Sequence, residues 1–573
     1  MSATGVAERL RLTGFLAGTA LRRLRGGLVA PFPRLRTWGA RTPQQLLIAP
    51  QDIRTADPTA ANDIYGGHFA FAGRIVETQG QSPFKLAPPS PGWSQALMGF
   101  GWLRHLRAAN TALARANARA LVEDWITYAG EPGGPAWEPS VLARRLMSWL
   151  SQSPIILEGA NWQFYRRFMR SLGQQTTYLE RTLRAGLDGE PRLTGAIALA
   201  SVGLCAEGMG GLQRRSARYL GAELRRQILP DGGHASRNPR LIGDVLLDLL
   251  PLRQAFTARG VQAPAELLNA IDRMMPMLRL FRHADGALAL FNGMGVTAPG
   301  TMATLLAYDD VRAAAMNNAP YSGYQRLEAE GTILVIDAGR PPHREFSEEA
   351  HAGCLSFELS AGVERIIVNC GAPSGGRVEV RDAARATAAH STLVVEETSS
   401  CRFATSPRLH TWFGSRILSG PEVVTCERGL DQSDLIVRAS HDGYAGPFGI
   451  THERHLRLAA DGSRVSGEDM LRPSSARART PSSLNYAIRF HLHPAAQVQM
   501  LPDGLAVEIR LPGGEAWLFA AAGMAIETEE SIFFAAPDGA RRTRQLVVRA
   551  NFGHMAHASW SFERRSGGSP EPV

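Results

Sequence analysis

The chain has 573 residues, of which 44% are hydrophobic and 20% charged, and its formal net charge at pH 7 is +9. This composition excludes a largely disordered protein, and the length exceeds that of one ordinary domain. Nearly all of the positive charge is arginine, because Lys85 is the only lysine. Guanidinium groups bind carboxylate, sulfate and phosphate through paired hydrogen bonds, so we expect a polyanionic partner. Zinc-finger spacing and lysine-rich tails are absent from the sequence, which argues against nucleic acid.

Residues 1–60 are interpreted as a basic N-terminal segment. Its first residues place a short apolar stretch between arginines. That pattern matches a secretory signal poorly, and an amphipathic helix lying on a membrane or on the protein explains it equally well. No apolar run in the sequence reaches the roughly 20 residues of a membrane span, so we predict no transmembrane segment.

Residues 61–318 are predicted to form a helical domain. Apolar residues recur there at spacings of three to four, and the short connections contain Gly or Pro. Helices joined by short links pack as antiparallel hairpins, which is compatible with a bundle, a solenoid or an (α/α) toroid. The predicted helices lie at about 96–128, 140–151, 162–186, 192–207, 212–229, 241–257 and 264–281.

The hydrophobic period changes to two near residue 320, and residues 319–560 are predicted to form an antiparallel β-sandwich. Turn sequences such as Asp461-Gly462 separate the candidate strands, and the pattern indicates no helices between them. The predicted strands include 354–360, 363–369, 391–396, 434–440, 452–459, 463–469, 485–492, 504–511, 515–521 and 545–551. Residues 561–573 are interpreted as a tail.

The first candidate site sequence is PDGGHASRNPR, at residues 230–240. Asn238 before a proline is typical of a helix start, which explains this asparagine without any function. His234 and Arg237 have no such structural explanation. Arg240 would place a positive charge in the first helical turn, where it opposes the helix dipole. A bound carboxylate would account for it.

The second and third candidate sequences open strands of the predicted sandwich. His351 precedes GCLSFEL and follows Glu349 by two residues, whereas His390 precedes STLVV. Asn369 ends the strand between them. If these strands are neighbours, two imidazoles and one oxygen ligand could hold a zinc-like metal with an open coordination position. The alternative is that each histidine makes an ordinary hydrogen bond at the sheet edge.

The order of these motifs resembles that of the bacterial heparinase II/III-like proteins. The matching sequences are DGGHASRNP, HAGCLSFEL, ARATAAHSTLVV and RFHLHP, and the resemblance covers about residues 60–555. It implies an α+β multidomain fold, in which an incomplete (α/α) toroid precedes an antiparallel β-sandwich. It also implies a polysaccharide lyase of the periplasm or cell envelope. Such enzymes cleave uronic-acid-containing glycans by β-elimination in the cleft between the domains.

The resemblance carries over to the site only in part. Arg240 falls at the place of the asparagine that neutralises the uronate carboxylate in the family, and arginine can do the same. Gly286 takes the place of the usual catalytic tyrosine, and Glu349 that of a histidine. Asn369 falls where an aspartate metal ligand is usual. Candidates to replace the missing base and acid are His234, His283, Tyr308, Tyr321 and Tyr324.

These matches predict a site shared by the two domains. The expected catalytic residues are His234, Arg240, His351 and Tyr308. The expected substrate-binding residues are Arg237, Asn238 and Glu349. The expected ligands of a possible divalent metal are His351, Asn369 and His390. The expected partner is an acidic polysaccharide.

Two other functions stay open. The replaced catalytic residues favour a non-catalytic protein of the same fold that binds a glycan or serves envelope polysaccharide synthesis. A glycoside hydrolase on the same toroid would need two carboxylates roughly 5–10 Å apart across the cleft. Glu349 with Asp231 or Asp285 is a conceivable pair.

Overall fold

A computed structural model describes residues 33–309, 314–404, 414–475 and 482–565. The apolar and arginine-rich start of the chain, for which an amphipathic helix is one interpretation, lies outside these residues, as does the end of the predicted tail. Within the described ranges, every helix is too short or too polar to traverse a lipid bilayer.

The first half of the chain is helical, as predicted. The α-helices, including two short ones in the second half, are α1 (Ala60–Tyr65), α2 (Pro91–Gly99), α3 (Leu103–Ala109), α4 (Ala112–Tyr128), α5 (Pro139–Ser151), α6 (Ser153–Leu157), α7 (Trp162–Arg184), α8 (Glu190–Cys205), α9 (Gly210–Gln227), α10 (Pro239–Ala258), α11 (Ala265–Phe281), α12 (Thr301–Ala307), α13 (Val378–Arg385) and α14 (Ala445–Phe448). Helix α8 is buried on every face from Leu193 to Cys205, and helices α5, α7, α9 and α10 pack around it.

The second half is built from strands. The strands, including a hairpin of β1 and β2 in the first half, are β1 (His68–Phe71), β2 (Arg74–Glu77), β3 (Asn318–Ala319), β4 (Tyr324–Ala329), β5 (Thr332–Asp337), β6 (Phe357–Ala361), β7 (Glu364–Val368), β8 (Leu393–Val395), β9 (Arg402–Phe403), β10 (Ile417–Ser419), β11 (Val424–Asp431), β12 (Asp434–His441), β13 (Ile450–Leu458), β14 (Arg464–Pro473), β15 (Asn485–Leu492), β16 (Gln497–Met500), β17 (Ala506–Arg510), β18 (Ala516–Ala521), β19 (Ile526–Phe533), β20 (Arg541–Asn551) and β21 (His557–Arg564).

Two antiparallel sheets form the predicted sandwich. One has the order β11-β12-β13-β14-β21-β18-β17-β16, and the other has the order β19-β20-β15-β7-β6-β5-β4-β3, with β8 paired to β15. Side chains from both sheets meet in one core, where the rings of Phe357 and Trp560 stack with their centroids 5.5 Å apart. This packing is that of a sandwich rather than of two separate sheets.

The sheet that contains β15 also packs against the helical domain. Tyr324 on β4 contacts Phe281 at the end of α11, with their ring centroids 4.7 Å apart. Strand β5 is buried at every position from Thr332 to Asp337, as expected of a strand covered on both faces. This sheet therefore meets the helical domain. The predicted site residues of the sandwich, Glu349, His351, Asn369 and His390, lie in loops that connect its strands.

The structure corrects two predicted boundaries. The strand expected to open directly after His351 begins only at Phe357. Leu355 adopts a left-handed backbone conformation, with φ of 62°, which is incompatible with an extended strand. At the other end, β21 continues to Arg564, beyond residue 560 where the sandwich was expected to stop.

Candidate active site

Asn238 begins helix α10, as its sequence predicts. Its side-chain Oδ1 accepts a hydrogen bond from the backbone N–H of Arg240 at 3.0 Å, with a proline at the first helical position. Its Nδ2 donates to Glu349 Oε2, 3.1 Å away on the sandwich side. The helix cap therefore also links the two domains at the site.

Arg240 projects from the first turn of α10 into a cluster of acidic side chains. Its guanidinium donates to Glu349 Oε2 at 2.5 Å and to Asp244 Oδ2 at 3.1 Å. Burial lowers the pKa of Arg240, but Glu349, Asp244 and Glu190 outweigh burial and raise it above its usual value. The side chains of Arg240 and Glu349 are 36% and 51% exposed. This arginine is therefore charged and partly exposed to solvent, with a carboxylate, that of Glu349, bound to its guanidinium.

Arg237 was expected to bind substrate, but the structure places it in the interface between the domains. Its Nη2 pairs with Asp337 Oδ1 at 2.5 Å, and its guanidinium lies 4.7 Å from the ring centroid of Tyr324. The other acceptors are the backbone carbonyls of Ser322, Gly323, Gly339 and Arg340. All five N–H groups of the guanidinium are thus used within the protein, so Arg237 joins the helical domain to the sandwich.

His234 was expected to act in catalysis, but both of its ring nitrogens are occupied inside the protein. The backbone N–H of Ser236 donates to Nδ1 at 3.1 Å, so the proton lies on Nε2, which donates to Gln227 Oε1 at 3.2 Å. Burial, with the nearby charge of Arg240, lowers the pKa of His234 to about 3. A buried neutral imidazole with both nitrogens engaged supports the loop before α10 rather than a reaction.

Among the described residues, no hydrogen bond puts a candidate tyrosine in the role of the family's usual catalytic tyrosine. Tyr308 Oη donates to Gln51 Oε1 at 3.2 Å, and in the described part of the chain Tyr308 has no hydrogen bond to His234, Arg240 or His351. Tyr324 is fully buried, and burial raises the pKa of its phenol. Tyr321 is exposed, and its backbone N–H donates to Asp231.

His351 and His390 come together as the sequence predicts. Nδ1 of His351 lies 3.0 Å from Nε2 of His390, and Nδ1 of His390 lies 2.8 Å from the carbonyl oxygen of Ala386. Because a carbonyl only accepts, Nδ1 of His390 carries the proton, and Nε2 of that ring must accept from His351. Gly353 allows this approach, since a Cβ there would lie 2.7 Å from His390 Cδ2.

This chain of hydrogen bonds leaves the second nitrogen of His351 without a proton. Nε2 of His351 has no hydrogen bond to any other described residue, and the side chain keeps a small exposed fraction. Burial, with the nearby His390 and Arg385, lowers the pKa of His351 well below its usual value. The ring is therefore neutral, with a lone pair on Nε2 that can accept a proton.

Asn369 does not join the two histidines as an open metal ligand. Its Oδ1 accepts from the backbone N–H of Ser391 at 3.0 Å, and its own backbone N–H donates to Glu358 Oε1 at 2.8 Å. Glu358 in turn lies 3.2 Å from Nε2 of His283, so this group is satisfied internally. Across the described ranges, no three His, Cys, Asp or Glu side chains converge as metal ligands. With only His351 and His390 together, the donor set does not fit a zinc-type centre.

Asp231 and Asp285, the conceivable partners of Glu349 in a glycoside hydrolase, are both engaged elsewhere. Both oxygens of Asp231 accept backbone N–H groups, from Gly233, Tyr321 and Ser322. Asp285 is paired with Arg365 at 2.9 Å. Neither is left free to work with Glu349, which binds Asn238 and Arg240.

Two residues that the sequence did not single out organise the site. Asn292 Oδ1 accepts from the backbone N–H of His351 at 3.3 Å, and its Nδ2 donates to Tyr324 Oη and to Asp337 Oδ2. Asp337 ends the otherwise apolar strand β5. An acidic residue at the end of a buried strand is the signal that could have indicated its role.

The chain is similar to known proteins along most of its length. Residues 311–561 match the family model of the heparinase II/III-like C-terminal domain. FtsZ-localized protein C of Caulobacter vibrioides is 30% identical over 565 residues, which cover 95% of each chain. The structure of heparinase III is 13% identical, with a TM-score of 0.71 over 95% of this chain and 90% of that one. Heparan sulfate lyase HepC from Pedobacter heparinus is 14% identical, with a TM-score of 0.60 over 96% and 89%.

These similarities agree with the observed order of domains. A helical domain followed by an antiparallel sandwich is the fold of heparinase III, and the family model covers the sandwich that carries His351 and His390. The chain therefore belongs to the heparinase II/III-like family.

Proposed function

We propose that the protein binds a uronic-acid-containing glycan in the cleft between its domains and cleaves it by β-elimination. The observation that carries the proposal is the hydrogen-bond chain from Ala386 through His390 to His351, which leaves Nε2 of His351 unprotonated. Arg240 is bound to Glu349, two residues before His351. In this proposal His351 is the base and Arg240 the cation that binds the uronate carboxylate, and Glu349, which pairs with Arg240, connects the two along the chain.

The reaction needs three events at the sugar. Nε2 of His351 takes the proton from C5, the C5–H electrons form the C4–C5 double bond, and the bond from C4 to the leaving oxygen breaks. Arg240 stabilises the charge that develops on the uronate carboxylate in the transition state. The imidazolium of His351 can return its proton to the leaving oxygen when both groups lie on one face of the ring.

Glu349 holds Arg240 in place until substrate arrives. The Arg240–Glu349 pair is partly exposed, and pairs of that kind contribute little to stability. A uronate carboxylate can therefore displace Glu349 from the guanidinium at small cost. The arriving anion also favours protonation of the nearby His351, which strengthens the base at the moment it is needed.

The test is an ultraviolet absorbance assay against heparan sulfate, chondroitin, hyaluronan, alginate and the envelope polysaccharide of the host. Elimination creates a double bond conjugated to the carboxylate, whereas hydrolysis does not. We expect rising absorbance that falls by about 100-fold or more in Arg240→Ala and in His351→Ala. Arg541→Ala, at an exposed ion pair far along the sandwich sequence, is the control and should keep full activity. Intact chains, or chains shortened without the unsaturated product, would reject the lyase.

A second candidate is a non-catalytic glycan-binding protein of the envelope. It is favoured by Arg240, which already has two carboxylate partners, and by Gly286 at the place of the usual catalytic tyrosine. The relative named FtsZ-localized protein C adds an association with cell division to this candidate. Calorimetric binding of a glycan without product, and a fluorescent fusion at the division site, would support it over the lyase. Protease accessibility of the fusion in spheroplasts would test the periplasmic location implied by the family resemblance.

A further inference from the structure

The helical domain contains a cavity of about 520 Å³ that is separate from the residues of the candidate active site. Its lining comes from the segment before α1 and from helices α1, α2, α3, α5, α8 and α10, together with β1. Every lining residue precedes residue 253, so the sandwich contributes none of them. The cavity volume lies within the range of small-molecule sites.

Asp248 anchors the charged side of this cavity. Its carboxylate accepts from Arg54 Nη2 at 2.7 Å and from Arg144 Nη1 at 2.7 and 2.6 Å. The Asp248 side chain is 3% exposed. Burial favours the neutral form, but Arg144 and Arg54 outweigh burial and hold the pKa of Asp248 below its usual value. Asp248 is therefore ionised, with both oxygens already used.

The arginines around Asp248 keep unused hydrogen-bond donors. Arg144 donates only through Nη1 and Arg54 only through Nη2 within the part of the chain that the structure describes. Their side chains remain 33% and 26% exposed. Arg104 also lines the cavity, and its Nε and Nη1 donate to backbone carbonyls, which leaves Nη2. Among the described residues, the remaining N–H groups of these three side chains have no hydrogen-bond acceptor, although Nη1 of Arg54 lies 4.0 Å from Asp52 Oδ1.

The acceptors nearby are already satisfied. Asp52 Oδ1 accepts from the backbone N–H of Arg54, and Asp52 Oδ2 accepts from Gln152. His105 Nδ1 accepts from the backbone N–H of Asp57. Asp63 also lines the cavity, but it is exposed to solvent. A ligand that reaches Arg54 and Arg144 therefore meets open guanidinium donors beside acceptors that are already engaged. Such a site favours an anion over a cation.

The rest of the lining is apolar. It includes Ile64, Phe71, Trp102, Met147 and Leu252. A bare inorganic ion would leave this surface unused. A compact organic molecule that carries one anionic group can pack against the apolar surface and accept hydrogen bonds from the open N–H groups.

We propose that this cavity binds a small organic anion, in which a carboxylate, sulfate or phosphate group on a compact ring such as a sugar pairs with Arg54 and Arg144. The guanidinium forks match the geometry of all three groups, and Asp248 holds the two arginines in position. The inference does not depend on lyase activity, because no residue of the proposed reaction lines the cavity.

Isothermal titration calorimetry on the full chain tests the inference. The probes are glucuronate, glucose 6-sulfate and glucose 6-phosphate, with glucose as the neutral control. We expect saturable binding of at least one anionic probe, and the preferred probe identifies the anionic group. Arg144→Gln should weaken that binding by about 10-fold or more through loss of the paired hydrogen bonds.

Two further variants separate binding in the cavity from a general loss of positive charge and from a folding defect. Met147→Trp fills the cavity without removing a charge and should also abolish binding. Arg541→Ala, at an exposed ion pair of the sandwich that belongs to neither site, should bind the probe as the wild type does. Thermal melts of each variant show whether it is folded. The inference is overturned when no anionic probe binds, when glucose binds equally well, or when folded Arg144→Gln and Met147→Trp bind like the wild type.

Discussion

Arg237 in the helical domain and Asp337 in the sandwich form a buried ion pair, with Nη2 and Oδ1 2.5 Å apart and side chains 6% and 3% exposed. Asn292 and Leu355 also hydrogen-bond to Asp337, through Nδ2 and the backbone N–H respectively. Arg237, Asn292 and Leu355 all have positive φ, at 59°, 45° and 62°. Non-glycine residues rarely adopt this conformation, and those that do cluster at functional sites. Asp337 thus fixes three segments at the junction of the two domains.

The first prediction concerns this ion pair. Arg237→Ala removes the only positive charge that pairs with Asp337 among the described residues and leaves its buried carboxylate with the neutral amide of Asn292 as its side-chain donor from the helical domain. We expect the free energy of unfolding to fall by about 3–5 kcal/mol, measured by urea denaturation. The matched control is Arg541→Ala, whose partner Asp538 is exposed, and its loss should stay below about 1 kcal/mol. Equal losses in the two variants would show that Arg237 does not join the domains.

The second prediction is that acid destabilises the protein through its buried histidines. Burial lowers the pKa of His234 and of His491 to about 3, and that of His390 to about 4, from 6.5. The unfolded chain therefore binds more protons than the folded one as the pH falls below about 6.5. The contribution of these histidines to stability is fully present above that pH. Below it, each of them should lower the free energy of unfolding by about 1.4 kcal/mol per pH unit, until the pH reaches the pKa of that histidine in the folded protein.

Urea denaturation between about pH 7 and pH 5 measures this slope. His234→Gln retains one donor and one acceptor but cannot titrate. The slope of the free energy of unfolding against pH should therefore decrease by the contribution of about one proton. An unchanged slope in His234→Gln would mean that His234 takes up its proton in the folded protein over the same pH range as in the unfolded chain.

The sequence predicted those parts of the molecule that depend on local pattern. Helical periodicity located the long helices, although the predicted stretch 96–128 forms the three helices α2, α3 and α4. The strand pattern located most strands but missed the short helices α13 and α14 between them. Asn238 before a proline marked the start of α10. The approach of His351 and His390 was also predicted. The helices, the strands and the helix start follow from residue types that act within a few positions of the chain. The approach of the two histidines follows from the family's order of motifs.

The uses of Arg237 and Asn369 could not be read from the sequence. Whether a loop arginine faces solvent or another domain depends on contacts across about a hundred residues, such as that between Arg237 and Asp337. Strands β7 and β8 both pair with β15, and this register places Asn369 against Ser391 and Glu358 rather than open to a metal. Local pattern carries no information about such a register.

The third prediction follows from that register. Because His351 and His390 bind each other and the oxygen of Asn369 is occupied, we expect purified protein to hold far less than one zinc per chain by mass spectrometry. Incubation with EDTA should leave the melting temperature unchanged. Stoichiometric zinc, with a melting temperature that falls on chelation, would show that the two histidines open to form a metal site.

The fourth prediction is that His390 acts on the reaction by holding the tautomer of His351. His390→Ala removes the acceptor for Nδ1–H of His351 and frees the ring to protonate Nε2 instead. We expect kcat to fall by about 10-fold or more with KM little changed, because Arg240 still binds the uronate. His390→Gln supplies an amide oxygen as acceptor and should recover part of the loss. The pH profile of kcat/KM should stay flat as the pH falls through 6.5, since the pKa of His351 lies well below that value. A profile that falls near pH 6.5, or equal kcat in His390→Ala and the wild type, would assign the base to another residue.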